Sequence, residues 1–286
     1  MAQLNTWSDV SAIANSIQEM AHFVVREQYQ MQNLVTVFTD QTGANPRNSY
    51  EYNQATASTI AETDDLTSSA FTPSLAQTLT PAEIGEQFFV TDLRASSSLP
   101  EDVIRDGAQE LGMAAGDKVE ADLVGLFSSL TGGTIGAAGT VITWGYLAAA
   151  IGQARNASKS TGVQLSAVIH GYQWSVLAKS ASVAGASVVN SPAYTEEITR
   201  TGYVANFMGV PIYQVYSDPD AEDDFTGGVF PKKALAIDWR RPIRIEPERD
   251  ASRRGTEFNM SAVYAKGVWR PALGIQMVFD ASAPTS

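Results

Sequence analysis

The sequence predicts an α+β fold strung out along the chain rather than wound into one layered domain. Three observations predict it. Two stretches carry long helical apolar stripes with no strand pattern beside them. A polar span poor in large apolar side chains lies between those stretches. The second half runs through alternating helix and strand and finishes in strands alone.

Residues 6–31 form the first stretch. Trp7, Val10, Ile13, Ala14, Ile17, Met20, Ala21, Val24 and Val25 recur at three- and four-residue spacing. Thr6 and Asp9 form a capping box at the start. The helix precedes any compact region, so it is expected to act as an arm that packs on another body. Residues 40–92 are the polar span. Between Asp40 and Asp65 the large apolar residues are Tyr50, Tyr52 and Ile60. Alternation at Tyr50 and Tyr52 and across residues 86–92 predicts two edge strands, because Pro73 and Pro81 interrupt the return arm. The tip falls near residues 62–69. Arms of about 17 residues at ~3.3 Å each would reach roughly 55 Å. A lone two-stranded ribbon is marginal in water, so this one is expected to lie on a neighbour.

Residues 99–130 carry the second stripe: Val103, Ile104, Leu111, Ala114, Ala115, Val119, Leu123, Leu126 and Phe127. Ser98 is placed to cap it, with Pro100 in the first turn and Glu101 completing the box. Gly132 and Gly133 stop it. At ~1.5 Å per residue the rod is roughly 45 Å long. Gly107, Gly112 and Gly116 inside it predict a rod that bends, each costing about 1 kcal/mol relative to alanine. Residues 143–228 predict a compact α/β unit. It has helices at 144–156, 172–180 and 192–198, a buried strand at 165–169 and another strand at 207–215. Strands are then expected at 234–238, 243–246, 258–264 and 273–279. The alternation Ile243-Arg244-Ile245-Glu246 predicts a strand with one face buried.

Composition narrows the function. Of 286 residues, 44% are apolar and 17% charged, enough for a packed core. The net charge is −12, which argues against gripping nucleic acid through its phosphates. Cysteine is absent, so thiol nucleophiles, disulfides and Cys-ligated metals are excluded. No apolar run approaches the roughly 20 residues of a membrane span, and no signal peptide is read at the start. The charge is uneven. Residues 1–117 hold 16 acids and 4 bases, while residues 232–254 hold eight bases and four acids. Complementary docking of one copy on another is therefore expected.

The sequence holds few candidates for catalytic or metal-binding chemistry. The two histidines, His22 and His170, lack a second ligand at useful spacing. Ser166 and Ser175 flank His170 without a nucleophile elbow. The glycine-rich run Gly132–Gly139 follows a helix and lacks Gly-Lys-Ser/Thr, so it is expected to be a hinge and not a phosphate cradle. Asp218, Asp220, Glu222, Asp223 and Asp224 lack the glycine and the final glutamate of a calcium loop, and are expected to form a solvated loop. The expectation is no catalysis, no cofactor and no metal.

Three local motifs carry a resemblance. They are Thr80-Pro-Ala-Glu-Ile-Gly85 before the rod helix, Ala167-Val-Ile-His-Gly171 followed by a helix, and Met208-Gly-Val-Pro-Ile-Tyr213. Their order, and the finish Val268-Trp-Arg-Pro-Ala-Leu-Gly-Ile-Gln-Met-Val-Phe279, resembles the major capsid proteins of tailed bacteriophages over nearly the whole chain. The resemblance implies a Hong Kong 97-like fold. Its parts would be an N-arm at 1–39, an extended β-hairpin E-loop at 40–95, the spine helix of the P-domain at 96–135, an α/β A-domain at 136–232 and a β-rich return at 233–286. It implies pentamers and hexamers that assemble in the host cytoplasm into an icosahedral shell around double-stranded DNA. The partners implied are a separate scaffolding protein, a portal and a decoration or cement protein. The first lysine is Lys118, so a lysine cross-link from the E-loop is excluded. Glu62, Asp64 and Asp65 are expected to meet Arg240, Arg241, Arg244, Arg253 and Arg254 of a neighbour. The acidic loop at 218–224 is expected near a capsomer axis. An encapsulin-like nanocompartment enclosing a cargo enzyme is the alternative with the same fold.

Overall fold

The computed structural model describes residues 29–52, 55–57, 59–62, 65, 68, 70–97, 100–160, 162–182, 206–220 and 222–284. The helices expected at 6–31 (beyond its last three residues) and at 192–198 lie outside the described residues. Helix α1 (Met31–Leu34) and strands β1 (Thr36–Phe38), β2 (Arg47–Tyr52), β3 (Pro73–Leu79) and β4 (Ala82–Thr91) come first, then α2 (Asp92–Ser97) and α3 (Pro100–Val124). Next are β5 (Thr134–Gly136), α4 (Trp144–Ser158), β6 (Leu165–His170), α5 (Gly171–Ser182), β7 (Ile212–Val215) and β8 (Asp224–Pro231). Strands β9 (Leu235–Asp250), β10 (Gly255–Val268) and β11 (Ile275–Asp280) finish the order. The strands form a five-stranded sheet β5-β11-β8-β6-β7, a four-stranded sheet β1-β9-β10-β4 and the pair β2-β3. Two compact units divide the chain: a larger one of residues 29–83, 118–242 and 263–286, and a smaller one whose described residues are 84–117 and 243–262.

The larger unit is built on the five-stranded sheet. Strand β6 lies between β7, which is parallel to it, and β8, which is antiparallel. That central place explains its nearly unbroken apolar run. Helix α4 buries Trp144, Leu147, Ile151 and Ala154 at helical spacing into the core with Leu165, Ile169, Met277 and Phe279. Thr143 caps the helix by accepting from Tyr146 N, and Lys159 ends it in the left-handed conformation. Buried Gln173 ties three strands together. Its Oε1 accepts from His170 N at 3.1 Å, and its Nε2 donates to Phe225 O at 3.1 Å and Phe279 O at 2.9 Å.

Glu120, on the part of α3 that belongs to the larger unit, is also buried. Its Oε1 accepts from the amides of Gln30 and Met31, each at 3.0 Å. It thereby caps α1, which has no side-chain cap of its own. Glu120→Ala should leave these donors unpaired and cost about 1–3 kcal/mol. A lower urea midpoint with faster amide exchange at Gln30 and Met31 checks it.

Two residues further on, Asp122 binds Lys118 Nζ at 2.8 Å and Lys266 Nζ at 2.6 Å, and accepts from the Tyr264 hydroxyl at 2.7 Å. Burial alone would raise the Asp122 pKa. Hydrogen bonds from Lys118, Lys266 and Tyr264 outweigh burial and hold it below 3.8. A depressed folded-state pKa contributes stability above the unfolded value, and that contribution is lost as pH falls through the folded value. Asp122→Asn should therefore flatten the acid limb of stability between about pH 5 and pH 2. Urea midpoints measured across that range test it.

The smaller unit packs Val90, Leu111, Ala115, Phe258 and Met260 together, with Ile84, Phe88 and Ile245 against them. Phe88 stacks on Phe258 at 4.8 Å. Gly107 makes room for that ring, because a Cβ there would come within 2.4 Å of Phe88.

The structure corrects several expectations. The rod is α-helical only to Val124 and continues as a 3-10 turn, Gly125–Ser129. The glycine-rich run is no free hinge: β5 pairs parallel with β11, and Gly136 sits at φ +85° with Val278 O 2.3 Å from where a Cβ would be. The return arm of the polar span divides at Pro81, with β3 pairing β2 while β4 joins the four-stranded sheet. The strands expected at 234–238 and 243–246 are one strand, β9. Ile243 on it is 41% exposed while Ile245 is half-buried, so the expected alternation does not hold there. Strand β8 was not foreseen. Its Gly227 and Gly228 mask the strand pattern, and Gly227 is required because a Cβ would lie 2.3 Å from Val168 O.

Candidate intersubunit surface

The β2–β3 pair is antiparallel, with Tyr50 opposite Leu75, Tyr52 opposite Pro73, and a bulge between Ser49 and Tyr50. Opposed residues share a face and residues two apart share a face, so Tyr50, Tyr52, Pro73 and Leu75 line one side. Phe71 extends it, stacked on Tyr52 at 4.7 Å with planes 8° apart. This face is open to solvent: Tyr50 is 57% exposed, Tyr52 58%, Phe71 67% and Leu75 57%. Glu51 and Ser74 lie on the other side, where Ser74 Oγ donates to Glu51 O, while Asn48 and Thr78 continue the open side toward the root, Thr78 Oγ1 donating to Asn48 Oδ1.

The root of the pair is fixed. Leu79 is fully buried with Ala236 and Ala265, and with Phe38 and Trp269 against them. Arg47 sits 4.4 Å above the Phe38 ring and reaches two carboxylates, Asp40 at 2.5 Å and fully buried Asp238 at 2.8 Å. Arg240 adds a second cation to Asp238 at 2.8 Å.

The arginines expected to receive a neighbour's acids are mostly engaged at home. Arg240 is buried against Asp238. Arg241 pairs with Glu83, Arg244 with Glu246, and Arg253 with Glu257 while lying 4.3 Å over the Phe89 ring. Arg254 holds a left-handed backbone at φ +52°, and its carbonyl accepts from Asp92 N. Glu62 and Asp65 are exposed, and Asp64 lies outside the described residues.

The acidic loop is more ordered than a solvated loop. Asp220 Oδ1 accepts the amides of Glu222 and Asp224, and buried Asp224 accepts from Gly139 N at 2.8 Å. Asp220, Glu222 and Asp224 bring carboxylate oxygens within 4.8 Å of one another. Asp223 is left-handed at φ +61°, and its carbonyl accepts from Ala281 N. Asp218 lies close to His170. Burial pushes the His170 pKa down, and Asp218 only partly offsets it. The imidazole Nδ1 accepts from Tyr172 N, and Ser175 donates to Tyr172 O, so both side chains serve the local fold.

The sequence reading marked Tyr50 and Tyr52 but not Phe71 and Leu75. The spacing Phe71-x-Pro73-x-Leu75 against Tyr50-x-Tyr52 was the signal that could have found them.

The described polar groups are largely committed to the chain's own structure, and the aromatic face beside them is open. A family described as "Phage capsid protein" matches residues 75–275, and the chain belongs to that family. Among solved structures, one from Mycobacterium phage Che8 is similar at TM-score 0.70 and 17% identity, over 90% of this chain and 93% of that one. The Cyanophage Pam1 capsid asymmetric unit gives 0.71 at 10% identity, over 99% and 98%. The capsid of a native GTA particle gives 0.71 at 15%, over 91% and 93%. No curated protein matches the chain in sequence.

Proposed function

We propose that this chain is the main shell subunit of a tailed-phage head, with a Hong Kong 97-type fold, assembling as pentamers and hexamers into an icosahedral container for double-stranded DNA. The observation that carries the reading is the open aromatic face of the β2–β3 pair on a rigidly anchored root. That face would lie across the next subunit, as the E-loop of such a shell. Residues 1–39 would be the N-arm, 96–135 the spine helix, 136–232 the A-domain and 233–286 the β-rich return. The acidic surface suits a container filled by a motor, because it does not hold its DNA by charge. Scaffolding, portal and decoration proteins are the partners this reading calls for, with assembly in the host cytoplasm. Co-expression with the scaffold should give icosahedral particles by negative-stain microscopy, filled with DNA after infection. A protein cargo in place of DNA would favour the nanocompartment instead.

The loop at 218–224 would face a capsomer axis, where its carboxylates crowd with those of other copies. Mild acid or chelator should then shift particle melting by calorimetry. Unchanged melting removes the axial placement.

A further inference from the structure

A groove of about 410 Å³ opens in the larger unit beside the end of α4. Val163, Pro231 and Leu273 give it apolar walls, and Lys232, Lys233 and Arg270 set three cations around them. Ser158 Oγ, also in the lining, is buried without a hydrogen-bond partner. The two lysines and Arg270 are exposed, and no ion pair to any of the three is found among the described residues. This sets them apart from Arg240, Arg241, Arg244 and Arg253, which hold carboxylates of their own chain.

We propose that this groove seats the segment Ile60-Ala-Glu-Thr-Asp-Asp65 of a second copy. The segment has one large apolar residue, three acids and no base. Ile60 is 44% exposed, and Glu62 follows in an exposed turn. The groove offers the complement: apolar walls for Ile60, flexible point charges for the acids and an unpaired hydroxyl. An inorganic anion would use the cations and leave the apolar walls wet, whereas this segment uses both. Residues 1–117 hold 16 acids against 4 bases, so the field around the segment has the matching sign. The proposal rests on the reading of the β2–β3 pair as an intersubunit arm, and it names the acceptor that the engaged arginines do not supply.

The test uses the full chain in unassembled form and a labelled peptide of residues 56–68. The wild-type chain should bind the peptide, more weakly as salt rises. K232E/K233E should weaken binding by roughly tenfold or more, K232Q/K233Q by less, and an I60D peptide should bind as poorly as the peptide does to K232E/K233E. Thermal melts confirm that each variant folds. With scaffold present, K232E/K233E should block particles, and E62K/D65K in the same chain should restore them. Three results overturn the groove: no peptide binding to the wild type, equal binding to K232E/K233E, or binding of the I60D peptide equal to that of the unaltered peptide. Normal particles from K232E/K233E also overturn it while leaving the shell reading standing. Failure of the wild type to assemble strikes the shell reading alone, and the peptide arm still decides the groove.

Discussion

Asp238→Ala should be the most destabilising single change at the root of the β2–β3 pair. Asp238 is fully buried and is shared by Arg47 and Arg240, each 2.8 Å away. Arg240 is itself buried. Removing the carboxylate leaves two guanidinium groups facing each other without their common counter-ion. Breaking a buried pair from one side costs about 3–5 kcal/mol, since the remaining charge loses both its partner and its access to water. At about 2–4 °C per kcal/mol for a unit of this size, the melting temperature should fall by roughly 10 °C. Differential scanning calorimetry measures it directly. A variant that melts with the wild type would mean that aromatic and aliphatic packing alone holds the root.

The second large effect falls on assembly. Tyr52→Asp with Phe71→Asp should leave the subunit folded and abolish particles. Both side chains are more than half exposed, so the monomer loses little beyond their mutual stacking, about 0.5–1.5 kcal/mol. In the shell the same positions would be covered. Two unpaired carboxylates taken out of water would each cost several kcal/mol, and every interface would repeat that cost. Sedimentation of co-expressed subunit and scaffold reads the outcome. Normal particle yield would show that this face touches nothing essential.

The elements that could be read from the sequence are those whose stability is local. Helix α4 was legible at 144–156, close to its observed span Trp144–Ser158, and β6 was legible through its apolar run. The polarity of residues 40–65 gave the two-stranded pair, but the alternation across residues 86–92 pointed to the wrong return strand, since β2 pairs with Pro73–Leu79. Features fixed by distant neighbours did not show. Gly227 and Gly228 read as a loop because the reason for them is the backbone of β6 and the side chains of Phe127 and Leu130. Arg240 read as a surface charge because the residue that buries it is Asp238, with Arg47 some 190 positions away in sequence on the same carboxylate. The groove was equally hidden: Ser158, Val163, Pro231 and Leu273 meet only in the folded chain.

The position of β11 has a consequence for biosynthesis. Residues 275–280 form an inner strand of the five-stranded sheet, bonded to β5 on one side and β8 on the other, and their Ile275, Met277 and Phe279 enter its core. While the ribosome is still making the chain, that slot stays empty and the nascent polypeptide keeps an unfilled seam down its largest sheet. The largest sheet of the chain is therefore completed only after translation has passed residue 280.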